Sequence, residues 1–196
     1  MRPSAAYLAI GFLTYLPVRL LFRLRWRGLE HVPRAGGAVL AANHTSNFDP
    51  WPLGLPLFPR RFLRFMAKSE LYWVPLRYLL NATGAFPVRR GEGDAEAIRT
   101  AVELCRSGEI VVMFPEGTRR RKGLRKKWEA RSHTGAARIA LEAGVPLVPA
   151  AISGTDRITR LGPLRVAYGP AVEAGDDLVE TTERLMAAIH ELEATL

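Results

Sequence analysis

Ala38-Val39-Leu40-Ala41-Ala42-Asn43-His44-Thr45-Ser46-Asn47-Phe48-Asp49 passes from an unbroken apolar run into a polar loop. A short apolar run preceded by Gly36-Gly37 reads as a buried strand. His44 therefore stands where a strand ends and a loop begins, a place where a rigid scaffold can hold a reactive side chain. Asp49 follows five residues later and precedes Pro50, which turns the chain. A turn between them would bring the carboxylate back to one imidazole nitrogen. That contact fixes the tautomer and leaves the other nitrogen to take a proton from a hydroxyl. The same spacing also suits a loop histidine resting on a turn-capping aspartate, with no chemistry attached.

A second segment has the same construction. Glu109-Ile110-Val111-Val112-Met113-Phe114 is an apolar strand that runs into Pro115-Glu116-Gly117-Thr118-Arg119. A carboxylate, a glycine, a hydroxyl and a guanidinium in succession make a compact polar site. Gly117 admits a close backbone approach, and Arg119 offers a planar fork suited to phosphate.

Around these segments the chain alternates strands and helices. Asp94 is a plausible N-cap for a helix running to Ser107, with Gly108 ending it. Gly135 to Ala143 reads as a helix closed by Gly144, and Asp177 to Leu196 as a terminal helix with Leu178, Leu185, Ile189 and Leu192 at helical spacing. Val145 to Ile152 is a strand carrying Pro146 and Pro149, which places it near an edge or a bulge. Leu164 to Tyr168 is a further strand. There is no internal repeat and no low-complexity linker. The alternation favours a layered α/β domain.

The length of 196 residues suffices for one domain with a substantial core. The net charge of +9 points to an anionic partner. Much of it lies in Arg119-Arg120-Arg121-Lys122-Gly123-Leu124-Arg125-Lys126-Lys127, which Trp128 follows. Such a run is either a solvated loop or a cationic rim at a bilayer headgroup boundary. A nucleic-acid partner is not expected, because neither interleaved aromatics nor a recognition helix is evident. The single cysteine, Cys105, excludes an internal disulfide and fits a reducing compartment. Its place in a helix suits a packed thiol better than a nucleophile.

Ser4 to Val18 is largely apolar and is broken by Pro17; from Arg19 to Arg27 arginines alternate with apolar residues. The apolar part is shorter than the roughly 20 residues of a spanning helix. The expectation is a helix or helix pair lying in the membrane interface, with arginines toward lipid phosphates. A single span is the alternative. A secretory signal peptide is disfavoured by the absence of a small-x-small cleavage site.

Four blocks stand in order: Asn43 to Asp49, Gly84-Ala85-Phe86-Pro87-Val88-Arg89-Arg90, Phe114 to Arg119, and Val145-Pro146-Leu147-Val148-Pro149-Ala150. Lys68-Ser69-Glu70-Leu71 lies between the first two. In residue type, order and spacing they resemble the glycerolipid acyltransferase family, especially bacterial 1-acyl-sn-glycerol-3-phosphate acyltransferases, over roughly residues 28 to 172. Two departures stand out. Arg89 occupies a position that is often acidic, and Arg131-Ser132-His133-Thr134-Gly135 replaces the usual approach to the next helix.

The resemblance implies a mixed central sheet flanked by helices over residues 28–196, with a membrane-associated segment at residues 1–27. It implies transfer of a fatty acyl group from acyl-CoA or acyl-carrier protein to the hydroxyl of 1-acyl-sn-glycerol-3-phosphate, giving phosphatidic acid. His44 would be the general base and Asp49 its support. Arg119 and Arg90 would hold the acceptor phosphate, Glu116 and Thr118 would orient the acceptor, Gly117 would contribute backbone amides, and Lys68 would add to the cluster. No metal or cofactor is expected beyond the acyl donor. The expected partners are a lysophospholipid, the acyl carrier and an anionic membrane surface. The expected place is the cytoplasmic face of the cell membrane, in a peripheral or monotopic mode. Two alternatives remain: the same chemistry on another lysolipid or a lipidated amine, and a non-catalytic anionic-lipid-binding protein. The apolar clusters Trp51 to Phe65 and Leu71 to Leu80 are either an acyl tunnel or core.

Overall fold

The computed structural model describes residues 5–88, 94–116 and 134–196, without the side chains of Lys68 and Asp94. In chain order the elements are α1 (Ala5–Leu21), β1 (Arg25–Arg27), β2 (Ala38–Ala42), α2 (Pro50–Gly54), β3 (Leu63–Lys68), α3 (Leu76–Ala82) and β4 (Ala85–Val88). They continue with α4 (Asp94–Arg106), β5 (Ile110–Met113), α5 (Gly135–Ala143), β6 (Leu147–Ser153), β7 (Arg165–Tyr168) and α6 (Leu178–Ala194).

The described strands form one sheet in the order β1-β7-β6-β2-β5-β3-β4. Neighbours run parallel except β6 and β7, which are antiparallel. The sheet is therefore mixed, with helices on both faces, and it matches the layered α/β expectation. The steps β2-α2-β3 and β3-α3-β4 move one way across the sheet. The steps β4-α4-β5 and β5-α5-β6 move the other way. Right-handed crossovers then place α2 and α3 on one face and α4 and α5 on the opposite one.

The packing agrees. Leu53 of α2 and Leu55 just after it join Val18 of α1 and the strand residues Leu40, Val112 and Val148 in one core layer. Ala137 and Ile139 of α5, with Leu185 and Ile189 of α6, pack on Val39, Ala41 and Val111 in the other. The alternation of Val39, Leu40 and Ala41 between layers is the two-residue period of a strand covered on both faces. Every residue of β2 is buried, which is why its sequence reads as continuous apolar. At its start the backbone of Gly37 touches α4 so closely that a Cβ there would lie 1.9 Å from the Cys105 carbonyl oxygen.

Three expectations are corrected. β6 is not at an edge; it lies between β2 and β7. Pro149 is tolerated because its carbonyl, which accepts from Gly169 N–H at 2.8 Å, shows that its nitrogen side faces past the last ladder pair, Ala150 with Tyr168. The arginine-apolar alternation after Pro17 is not helical throughout: α1 continues through Pro17 to Leu21, and Arg25–Arg27 form edge strand β1. A two-residue alternation is a strand signal. The two apolar clusters part company as well. Leu53, Leu55, Leu57 and Leu63 are core, whereas Leu71, Trp73, Val74, Tyr78 and Leu79 are exposed. No described helix is long and apolar enough to cross a membrane.

Candidate active site

β6, β2 and β5 lie side by side, and their carboxyl ends define the site. Parallel pairing sets Ala42 opposite Ala150 and Ala41 opposite Met113. The residues that follow each strand therefore emerge together, in the crevice where open α/β sheets hold ligands. His44 and Asp49 come from the loop after β2, Phe114 from the loop after β5, and Thr155 from the loop after β6.

Asn43, almost fully buried, fastens the first loop to β6. Its side-chain amide donates to the Ile152 carbonyl at 2.9 Å, and its side-chain oxygen accepts from the Ile152 N–H at 2.8 Å. That pair continues the ladder with a side chain and fixes where His44 begins.

His44 Nδ1 lies 2.7 Å from Asp49 Oδ2. With Nδ1–H donating to the carboxylate, the lone pair sits on Nε2. The Phe114 ring stacks on the imidazole, with centroids 4.1 Å apart and planes inclined by 17°. The imidazole is thus held by a carboxylate at one nitrogen and by an aromatic face on its plane.

Asp49 is fully buried and carries a dense set of partners. Oδ2 also accepts from the backbone N–H of Thr45 at 2.7 Å and of Ser46 at 2.9 Å. Oδ1 accepts from the Thr155 hydroxyl at 2.5 Å and the Thr45 hydroxyl at 3.3 Å. Burial by itself raises a carboxyl pKa, but the bonds from His44, Ser46, Thr155 and Thr45 outweigh it and hold Asp49 below the ordinary range. The carboxylate stays ionised although no solvent reaches it. The turn-capping aspartate and the imidazole partner suggested by the spacing are one and the same group.

Thr155 escaped the sequence reading. It follows the strand containing the fourth block, and a lone Gly154-Thr155 pair gives no sign that it faces a carboxylate a hundred residues earlier. Phe114 belongs to the third block, and nothing in that block marks it as the partner of His44.

The other candidate residues are distributed differently. Glu116 is half-buried in the turn after β5. Lys68 ends β3, with only its backbone described. Arg90, Gly117, Thr118 and Arg119 lie outside the described residues, as do Arg89, the basic run to Lys127, Trp128 and Arg131 to His133. The described part of the second block forms β4, three strand spacings from β2, or about 14 Å across the sheet. Cys105 is buried against the Ala38 carbonyl at 3.6 Å, and burial pushes its thiol up to about 12, so it is a packing residue. Among the described residues Glu116, His190 and Glu193 bring one possible ligand atom each within 4.8 Å of one another. They lie at or near the surface, where such groups commonly cluster without an ion.

The family model for Acyltransferase matches residues 23–153. A 1-acyl-sn-glycerol-3-phosphate acyltransferase of Bacillus subtilis is 32% identical over 85% of this chain and 86% of its own length. The chloroplastic 1-acyl-sn-glycerol-3-phosphate acyltransferase LPAT1 of Arabidopsis thaliana is 28% identical over 72% of this chain, which spans 39% of that protein. The crystal structure of the 1-acyl-sn-glycerophosphate acyltransferase PlsC from Thermotoga maritima superposes with a TM-score of 0.65 at 24% identity. That superposition covers 95% of this chain and 78% of the other, and it shows a shared fold.

Proposed function

The chain belongs to the Acyltransferase family, and on that premise we propose that it moves a fatty acyl group from an acyl thioester to the free hydroxyl of 1-acyl-sn-glycerol-3-phosphate, giving phosphatidic acid. The observation that carries this reading is the His44–Asp49 pair at the carboxyl end of β2, with Asp49 on Nδ1 and Nε2 left for a substrate proton.

An alcohol is a poor nucleophile at neutral pH, so attack on a thioester needs a base in contact with its proton. His44 Nε2 takes that proton as the oxygen bonds to the thioester carbonyl carbon. The tetrahedral oxyanion collapses with cleavage of the carbon–sulfur bond. The departing thiolate of coenzyme A or acyl-carrier protein then takes the proton from the imidazolium. Asp49, ionised and buried, stabilises the imidazolium between these transfers. No acyl-enzyme is needed, which agrees with the one cysteine being packed under the sheet. Backbone amides near Gly117 are assigned to the oxyanion, Arg119 and Arg90 to the acceptor phosphate, Glu116 and Thr118 to acceptor orientation, and Lys68 to the same cationic cluster. These assignments rest on the family blocks.

We also place the protein at the cytoplasmic face of the membrane that supplies its acceptor. Phe12, Leu13, Leu16, Leu20 and Leu21 of α1 are exposed, while Val18 and Gly11 face the domain. The Trp51 indole N–H also reaches the Thr14 hydroxyl at 3.3 Å. A helix anchored on one side and apolar on the other suits a bilayer surface.

Product mass spectrometry on a panel of lysolipids, with acyl-CoA and acyl-carrier-protein donors supplied separately, tests the reading. Phosphatidic acid from the lysophosphatidic acceptor is the expected product. Transfer only to another lysolipid would reassign the acceptor, and binding without transfer would leave a lipid-binding protein.

A further inference from the structure

We propose that α3 and the turn before it form a second membrane contact, separate from α1, which seats on an anionic bilayer. The proposal rests on the membrane setting argued above and adds the surface that fixes how the domain is oriented there.

A helix joining two neighbouring parallel strands ordinarily buries one face on the sheet. None of the residues of α3 is buried. Trp73, Tyr78 and Leu79 are 58%, 61% and 53% exposed, and Val74 and Leu71 are also open to solvent. Exposed large apolar groups concentrated in so short a stretch mark an interaction site.

The occupant follows from chemistry and position. From Leu71 to Val88 the only charged residue is Arg77. Its guanidinium lies 4.8 Å from the centre of the Tyr78 ring and donates to the Tyr78 hydroxyl at 2.8 Å. Tryptophan and tyrosine with an arginine at their polar ends are the composition of a headgroup boundary. The net charge of +9 favours an anionic surface and disfavours a second copy of the same cationic chain.

Position agrees as well. Right-handed crossover puts α3 on the sheet face that carries α1 and α2. Contacts link the two regions: Tyr7 of α1 packs edge-on against Phe62 with centroids 4.4 Å apart. Phe62 in turn lies 3.3 Å from where a Cβ would stand on Gly84, just past α3. Two apolar elements on one face can meet one plane, and two contacts define a tilt where one leaves rotation free.

Cys105 makes the test clean, because a buried thiol with so high a pKa does not compete for labels. Leu79→Cys and Leu16→Cys, each carrying an environment-sensitive fluorophore, are mixed with phosphatidylcholine vesicles with or without phosphatidylglycerol and with nitroxide-labelled lipid. Both probes are expected to shift blue and be quenched on the anionic vesicles. A Trp73→Ser/Tyr78→Ser/Leu79→Ser variant should lose about tenfold or more in vesicle partitioning. Its turnover of a short-chain, monomeric acceptor should be unchanged. Quenching at residue 16 with none at residue 79 overturns the proposal. So does a lipid-free dimer, seen by ultracentrifugation, that the triple variant abolishes. Because quenching is read without turnover, absence of acyl transfer would sink the proposed reaction and leave this result standing.

Discussion

The Thr155 hydroxyl and the Asp49 carboxylate are hydrogen-bonded at 2.5 Å across 106 residues of sequence. Thr155 Oγ1 also lies 2.8 Å from the Thr45 hydroxyl, so the two threonines form a clasp over Oδ1. Thr155 touches no reacting atom in the proposed mechanism; it is a positioning residue for Asp49, and through Asp49 for His44.

Thr155→Val keeps the shape and removes the donor. We expect kcat to fall about tenfold, from loss of a hydrogen bond to a charged group, with both KM values nearly unchanged. The Asp49 carboxyl should rise, which moves the acid limit of the kcat profile to higher pH. Thr155→Ser should restore both quantities. Equal loss in the serine and valine variants, with no displacement of the pH profile, would assign Thr155 to packing alone.

His44→Ala should reduce kcat by about 10²–10⁴-fold and leave the protein folded. The side chain lies in a loop outside both core layers, so its removal opens no core cavity. Near-normal turnover in this variant would dismiss the imidazole as the base.

Acid stability follows from Asp49. A carboxyl whose folded pKa is depressed contributes stability above its unfolded value, and that contribution is lost as pH falls through the folded value. Thermal melts should therefore be flat from neutral pH down to about 5 and decline below about 4. In Asp49→Asn the neutral-pH midpoint drops and the acid decline becomes shallower. An acid limb identical in both proteins would trace it to other carboxylates.

The residues whose roles rest on the family blocks have their own test. Arg119→Ala and Arg90→Ala should each raise KM for the phosphorylated acceptor more than KM for the acyl donor, if the phosphate contact proposed for them is made. If steady-state kinetics showed the donor KM alone rising, both arginines would belong to the carrier's phosphates.

In the core layer that carries α2, the fully buried Tyr168 donates its hydroxyl to the Leu53 carbonyl at 2.7 Å. Tyr168→Phe removes that buried donor and should cost about 1–3 kcal/mol in denaturant unfolding. A change confined to a few tenths would mean that water replaces the phenol.

What the sequence disclosed, and what it hid, divides along sequence distance. The buried strand Ala38–Ala42, the helix Gly135–Ala143 and the His44–Asp49 contact are local patterns, and each was readable from periodicity, a cap or a short spacing. β3 and β4 were not recognised as strands, because Leu63-Arg64-Phe65-Met66-Ala67-Lys68 lacks turn punctuation, and β4 is a few residues carrying Pro87. The interior place of β6 was missed because a proline in a strand argues for an edge. Only the position of Gly169 reveals why Pro149 fits. Thr155 was illegible for the same reason: its meaning lies in a partner supplied by the neighbouring strand. The exposure of Leu71 to Leu79 was hidden too, since an apolar cluster looks alike in a core and on a docking face.

Because Asn43 is clasped by Ile152 and Asp49 by Thr155, the site is a late product of synthesis. His44 and Asp49 leave the ribosome almost together, yet the pieces that set them in register are made about a hundred residues afterwards. A nascent chain stalled before Thr155 should hold both side chains of the proposed base pair and remain inert. Onset of activity in a series of stalled chains would then time the closure of β6 onto β2.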